Sequence, residues 1–325
     1  MQALRHATLR QLQIFEAAAG APSFASAAAQ LHLTQPAVSM QITQLEESAG
    51  VALFERLGKK LYLTPAGAEL LIHVRRVSQS VREAGEAMDA IRGLELGRLA
   101  IAVVSTAKYF APRLLTMFRN AHPKIELRLN DANREEVLQH LRANLVDLAI
   151  MGRPPDDIET VAEPFAPHPH VIIAPPGHPL CSRRGVSVKE LANEVFVGRE
   201  PGSGTRSAME RFFAQYKITP EIAMVMASNE SIKQAVMAGM GLSFISSHTI
   251  GLECQAGHLV PLDVIGLPVM RRWYVVHMAS KRLTPTAEAF KRFVFSEAPK
   301  YLEAIFPISR TFPVARRATN RAKKK

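Results

Sequence analysis

Two sets of residues in this chain have types and spacings that could carry chemistry. The first lies in LTQPAVSMQI, residues 33–42. Thr34 is a good helix N-cap type, and Pro36 falls in a first turn, where its missing N–H is not needed. At 100° per residue, Val38, Ile42 and Leu45 share one face of the predicted helix, while Pro36, Ser39, Met40, Thr43 and Gln44 share the other. Ser, Thr and Gln can hydrogen-bond base edges, and Met40 could lie against a thymine methyl in a major groove. For the helix alone, a plain solvated face is an equal alternative. A small preceding helix and a following hairpin with Arg56, Lys59 and Lys60 favour nucleic acid, since basic residues at a wing tip suit phosphate.

The second set suits an anion. Ser105 and Thr106 follow a predicted strand, at the carboxyl end where open α/β sheets bind ligands, and Lys108 is close enough to pair with a phosphate. Gly202, Ser203, Gly204, Thr205 and Arg206 open a predicted helix. Their glycines let backbone approach an anion, helix N–H groups point at it, and Arg206 adds a planar fork. Arg153, just after DLAIMG, is a further cation aimed at the same edge, and Asn133 is grouped with these residues. Taken alone, the glycine-rich turn reads as a tight turn with a cap.

Other features point to ordinary roles. His168, His170 and His178 lie among prolines without a sensibly spaced fourth ligand or a Cys, so no metal is expected. Cys254 and His258 are a lone pair, and Met224, Met226, Met237 and Met240 read as packing. The chain contains no GxSxG, HExxH or P-loop pattern, so no catalysis is expected.

The elements that must hold these residues follow from patterning. Thr8 caps a first helix, with Gln11 completing a capping box and Leu9, Leu12, Phe15 and Ala19 forming its apolar stripe. Ile14 lies off that stripe. Ser23 caps an alanine-rich second helix; the third runs from Pro36 to about Ala49 and closes at Gly50. Two short strands follow, so residues 1–63 make a winged helix-turn-helix. A long helix then runs over 64–93, opened by Thr64 and Pro65 and weakened by Gly67 and Gly85. Leu70, Val74, Val77, Val81, Ala84, Met88 and Ile91 are spaced alternately four and three apart, a heptad seam that favours pairing with another helix over packing on its own domain.

From Arg98 onward strands and helices alternate, which predicts an α/β unit over 98–305 with a mostly parallel sheet. A helix is expected at SVKELAN and a last one from Thr284 to about Ser296. The predicted arrangement is two lobes joined by crossing strands, lobe I at about 98–167 and 269–305, lobe II at about 168–268, with a cleft between them.

Of 325 residues, 40 are Lys or Arg and 29 Asp or Glu, a net charge of +11. The excess does not mark the DNA-binding segment. Residues 1–97 are neutral overall, whereas the tail 309–325 has seven basic residues and no acid. That tail reads as a solvated appendage or as an auxiliary electrostatic arm on DNA. With no apolar run long enough for a span, no signal-peptide core, and two distant cysteines, the expected location is the cytoplasm.

The N-terminal segments LRQLQIFEAAA, AAAQLHLTQPAVSMQITQLEESAGVALFER and LTPAGAELL resemble the winged helix-turn-helix of LysR-type transcriptional regulators. The resemblance extends through the linker helix to about residue 305. AVVSTAKYFAP, DLAIMGRPP, APHPHVIIAPPGHPL and REPGSGTR resemble a narrower group, the CbbR regulators of Calvin-cycle carbon dioxide-fixation operons. The resemblance implies a periplasmic-binding-protein-like effector domain, a double-stranded DNA operator, a homodimer or a homotetramer of two dimers, contact with RNA polymerase, and activation in response to a phosphorylated metabolite. It implies DNA contacts at Gln35, Pro36, Ser39 and Gln41 or Gln44. Many members have Arg where this chain has Met40, and an Arg near the start of the second helix where it has Ala25-Ser26. With the resemblance, the three polar clusters at strand ends favour an anionic effector over bare turns. No cofactor or membrane partner is expected. The rival readings are a regulator of another metabolic operon, a solute-binding protein with a vestigial N-terminal domain, and an enzyme using the cleft.

Overall fold

Thr8 and Gln11 open the first element by exchanging hydrogen bonds: Gln11 N–H donates to Thr8 Oγ1 at 3.2 Å, and Thr8 N–H to Gln11 Oε1 at 2.9 Å. The computed structural model describes residues 4, 6–57, 60–91 and 97–305. They fall in two compact units, the second beginning at Gly97. The first holds α1 (Leu9–Ala19), α2 (Phe24–Leu31), α3 (Gln35–Ala49), the antiparallel hairpin of β1 (Phe54–Leu57) and β2 (Lys60–Leu63), and α4 (Pro65–Ile91).

The core of this unit differs from the predicted stripe. Ile14, Phe15 and Ala18 are buried and Leu9 is exposed. Helices α2, α3 and α4 all pack on α1, so a wider face than a four-residue stripe is covered. Ala27 and Ala28 of α2, and Val38, Ile42 and Leu45 of α3, fill the same core. Thr34 sits at the N-cap of α3 but makes no side-chain cap bond. Pro36, at the second helical position, has no N–H to give it. Glu46 joins α3 to the hairpin by accepting Leu53 N–H at 2.7 Å and Phe54 N–H at 3.1 Å. Gly67 costs α4 some propensity for a reason of packing: a Cβ there would stand 2.1 Å from the Leu53 carbonyl oxygen.

The second unit runs β3 (Gly97–Val104), α5 (Ala111–Ala121), β4 (Ile125–Ala132), α6 (Arg134–Arg142), β5 (Leu148–Met151), β6 (Thr160–Ala174), β7 (Val195–Arg199), α7 (Gly204–Ala214), β8 (Glu221–Met226), α8 (Asn229–Met237), β9 (Ser243–Ser246), α9 (Gly251–Gln255), β10 (Val260–Pro261), β11 (Val269–Met278) and α10 (Pro285–Ile305). The expectation of a mostly parallel sheet needs correction. β3 pairs in parallel with β4 and β5, and β7 with β8. β11, by contrast, pairs antiparallel with both β5 and β6, and β6 antiparallel with β9 and β10. Among the described residues this makes one seven-stranded mixed sheet, with β7 and β8 apart from it. The two long strands β6 and β11 carry it from one half to the other.

β6 begins well before the predicted HVIIA. Its prolines, Pro164, Pro167 and Pro169, oppose residues of β11, whereas pairing with β9 and β10 is confined to His170–Ala174. Proline cannot donate to a ladder, so it is tolerated where a neighbour is on one side only. The segment SVKELAN is a 3₁₀ helix (Val188–Asn193) rather than an α-helix. The last helix outruns its predicted end and continues through Pro299, because Ala298 and Leu302 beyond Ser296 are buried in the core. In β3, Leu99, Ile101 and Val103 face α5 and α10, while Ala100 and Ala102 face α6. In β6, Ile172 and Ala174 pack towards α7, and Val171 and Ile173 towards α8. Each half of the sheet is thus covered on both faces. No described helix is long and apolar enough to cross a membrane.

Candidate functional site

In the first unit, the outward face of α3 has the predicted composition. Thr34, Gln35, Pro36, Met40, Thr43 and Gln44 are exposed and Ser39 is half-buried; Met40 is 54% exposed, unusual for a methionine with nothing against it. Thr43 Oγ1 donates back to the Ser39 carbonyl at 3.0 Å, which leaves its lone pairs outward. Gln44 Oε1 accepts from Gln11 Nε2 at 3.3 Å and Gln41 Nε2 at 3.2 Å, so its amide nitrogen faces out with both donors. The face offers hydrogen-bonding groups and one apolar knob without a carboxylate from positions 34–45. Arg56 and Lys60 lie on the hairpin strands, opposite Leu61 and Leu57. Lys59 and the basic tail lie outside the described residues.

The second unit holds a cavity lined mainly by polar and basic residues. Six of the predicted residues line it: Ser105, Thr106, Arg153, Ser203, Gly204 and Thr205. Thr106 is buried where β3 ends. Ser203 is the N-cap residue of α7 yet makes no side-chain cap bond, so its hydroxyl is not engaged by its own helix. The start of α7, with its outward N–H groups, forms part of the cavity wall.

Four predicted residues are engaged elsewhere. Lys108 forms an ion pair with Glu230 of α8 at 3.0 Å, and Tyr109 hydroxyl donates to the same carboxylate. Burial pushes Glu230 up, but the bonds from Tyr109 and Lys108 outweigh it and hold its pKa at about 2. Arg206 pairs with Glu210 one helical turn on, at 2.6 Å. Asn133 caps α6, its Oδ1 accepting Glu136 N–H at 3.0 Å. Gly202 supplies the left-handed turn before α7, with φ +84°, and does not line the cavity.

In their place the cavity gathers Arg134, Arg199, Arg271 and His168, which sequence reasoning missed. Arg199, at the end of β7, is the one a strand-end search could have found. It is buried, with Glu200 at 2.7 Å, Asn229 Oδ1 at 2.8 Å and Ser105 Oγ at 3.1 Å. Arg153 pairs with Asp156. Arg134 and Arg271 differ, because their bonds to oxygen go to backbone carbonyls: Arg134 to Arg153 and Pro154, Arg271 to Gly152 at 2.9 Å and Gly204 at 3.0 Å. Burial, and then the nearby charges of Arg211, Arg134 and Arg153, lower the Arg271 pKa to about 10. Arg271 therefore remains charged at neutral pH, in a place where positive charge is in excess. An oxyanion is what that excess favours.

One unit with a helix-turn-helix and hairpin, and another with a small-molecule cavity in an α/β sheet, together define a single-chain DNA-binding regulator. Residues 9–68 match the bacterial regulatory helix-turn-helix proteins of the lysR family, and residues 92–299 match the LysR substrate binding domain. The chain belongs to the LysR family of transcriptional regulators. It is 52% identical over 295 residues to the RuBisCO operon transcriptional regulator of Allochromatium vinosum, covering 91% of this chain and 98% of that one. It is 50% identical over 297 residues to the transcriptional regulator CbbR of Rhodospirillum rubrum, covering 91% and 99%. Among solved structures, the Synechocystis PCC6803 CcmR regulatory domain in complex with 2-PG is 38% identical with a TM-score of 0.60, covering 62% of this chain and 99% of that one. The chain is a regulator rather than an enzyme.

Proposed function

We propose that this protein is a cytoplasmic activator of carbon dioxide-fixation operons that responds to a small phosphorylated metabolite. Residues 1–63 read the operator with the outward face of α3 and the hairpin. The helix over 64–93 pairs two chains, and two dimers make a tetramer. Residues 98–305 form a periplasmic-binding-protein-like domain, with lobe I at about 98–167 and 269–305 and lobe II at about 168–268. Its cleft takes the effector. Effector binding acts by favouring one arrangement of the dimers on DNA over another, which also alters the contact with RNA polymerase.

The observation that carries this reading is the cavity in which Arg271 and Arg134 stand charged against carbonyl oxygens, beside Thr106, Ser203 and the start of α7. The complex of CcmR with 2-PG (2-phosphoglycolate) supports the effector class, and the carbon-fixation regulators at about half identity support the operon. The test is a footprint on the DNA upstream of a carbon-fixation operon, with and without 2-phosphoglycolate. A protected region whose extent changes with the effector is expected; no protection in either condition would overturn the proposal.

A further inference from the structure

His168 lies on β6 opposite Arg271 of β11, and both line the cavity. Its ring is 2% exposed and stacked on Trp273, with centroids 3.6 Å apart and planes 15° from parallel. That stack fixes the direction in which the two ring nitrogens point.

One nitrogen has a partner. Nε2 lies 3.0 Å from Ser246 Oγ. The same oxygen also accepts the His248 N–H at 3.3 Å. With the Ser246 hydroxyl as donor to Nε2, the neutral imidazole carries its proton on Nδ1. Burial, with His170, His248 and Arg271 close by, holds the ring well below the ordinary histidine pKa, so it is uncharged.

The other nitrogen has none. Nδ1 is buried without a hydrogen-bond partner. A Cβ on Gly152, itself a cavity residue, would stand 2.7 Å from it. Gly152 thus keeps a side chain out of the space beside Nδ1, where Arg271 reaches to the Gly152 carbonyl. A buried donor left unpaired is costly, and a ligand oxygen seated beside Arg271 removes that cost.

We infer that His168 is a further effector contact, an uncharged Nδ1–H donor to an anion oxygen held by Arg271, and that Trp273 stacked behind it reports occupancy of the site. This deepens the proposed function and rests on its anion-binding reading. The arginines supply the charge that holds the ligand. His168 adds a directional bond that a point charge cannot, and so selects ligands with an acceptor oxygen at that place. The single tryptophan of the chain is the aromatic ring against it, so its emission is a signal from this site alone.

The test titrates the full-length protein with 2-phosphoglycolate and with inorganic phosphate, read by calorimetry and by Trp273 emission. Three variants are compared with the natural chain. His168→Phe keeps the stack and removes the donor. His168→Asn returns an amide donor near the Nδ1 position. Gly152→Ala covers Nδ1 and leaves His168 in place. The natural protein is expected to bind with a saturable change in emission. His168→Phe and Gly152→Ala should bind roughly tenfold or more weakly, with His168→Asn between them and the natural chain. Because no charge is lost, the salt dependence of binding in His168→Phe should match the natural chain, while Arg271→Gln flattens it. Should His168→Phe fail to fold, His168→Asn and Gly152→Ala carry the comparison. Unchanged affinity in the folded variants overturns the role of His168 while leaving the anion site standing. If the natural protein binds neither ligand, the anion-binding reading itself is overturned, and this inference with it.

Discussion

Side chains in the two candidate surfaces differ in how far sequence determines their partners. Met40 is the simplest, because its helix face is set by Val38, Ile42 and Leu45 opposite and nothing in its own unit covers it. A guanidinium introduced there would meet operator phosphate or a base edge. Met40→Arg is expected to change operator preference and to steepen the dependence of log affinity on log salt by about 0.9 for each phosphate contact added. Binding measured from low to moderate salt on two operators checks it, and no movement in either quantity means that Met40 does not face DNA. In the cavity, Ser105, Thr106, Arg153 and Ser203–Thr205 were legible because a strand end or a glycine turn fixes where backbone goes. Lys108, Asn133 and Arg206 were equally well placed along the chain, but Glu230, Glu136 and Glu210 take them. A long side chain chooses among neighbours, and one of those neighbours is 122 residues away. Arg271 and His168 were hidden for another reason: they oppose each other across antiparallel strands that the expectation of a parallel sheet did not contain.

At the scale of elements, α4 has two successive roles along one seam. Leu71 and Val74 are buried and Leu70 packs against the same core. Farther along, Val77, Val81 and Met88 are exposed, at 43%, 48% and 53%. The heptad spacing predicts one continuous apolar line. It could not tell where that line leaves its own unit, because both parts use the same residue types. An apolar line left open at four- and seven-residue spacing suits a second copy of the helix. Val81→Glu is expected to shift the protein from dimer or tetramer towards monomer in sedimentation at micromolar concentration, without unfolding the first unit. Val74→Ala is expected to do the reverse, lowering stability by on the order of 2 kcal/mol while leaving assembly intact. Equal assembly in Val81→Glu and the natural chain would place the contact elsewhere.

Over the whole molecule, the second unit has a built-in sensitivity to acid. His168, His170 and His248 are buried near Trp273, and burial lowers all three, His248 to about 4. Unfolded, each titrates near 6.5. Between that value and the folded one the unfolded chain binds more protons, so their contribution is complete above about pH 6.5 and is lost as pH falls. For His248 alone a displacement from 6.5 to about 4 corresponds to roughly 3 kcal/mol by pH 4. Glu230 adds a loss of the same sign, but only below about 4.5, where it would be protonated in the unfolded chain. The acid limb should therefore begin in the histidine range, before the carboxylates titrate. Because the two units need not unfold together, the observable must belong to one of them. Trp273 emission followed through urea unfolding at pH 7.5, 6.0 and 5.0 meets that need. Stability is expected to fall across this range, and His248→Gln, which retains an acceptor for the Trp273 Nε1–H now held at 3.0 Å, should reduce the fall by up to about 1.4 kcal/mol per pH unit. A flat profile in the natural chain would show that these rings are not held neutral in the folded state.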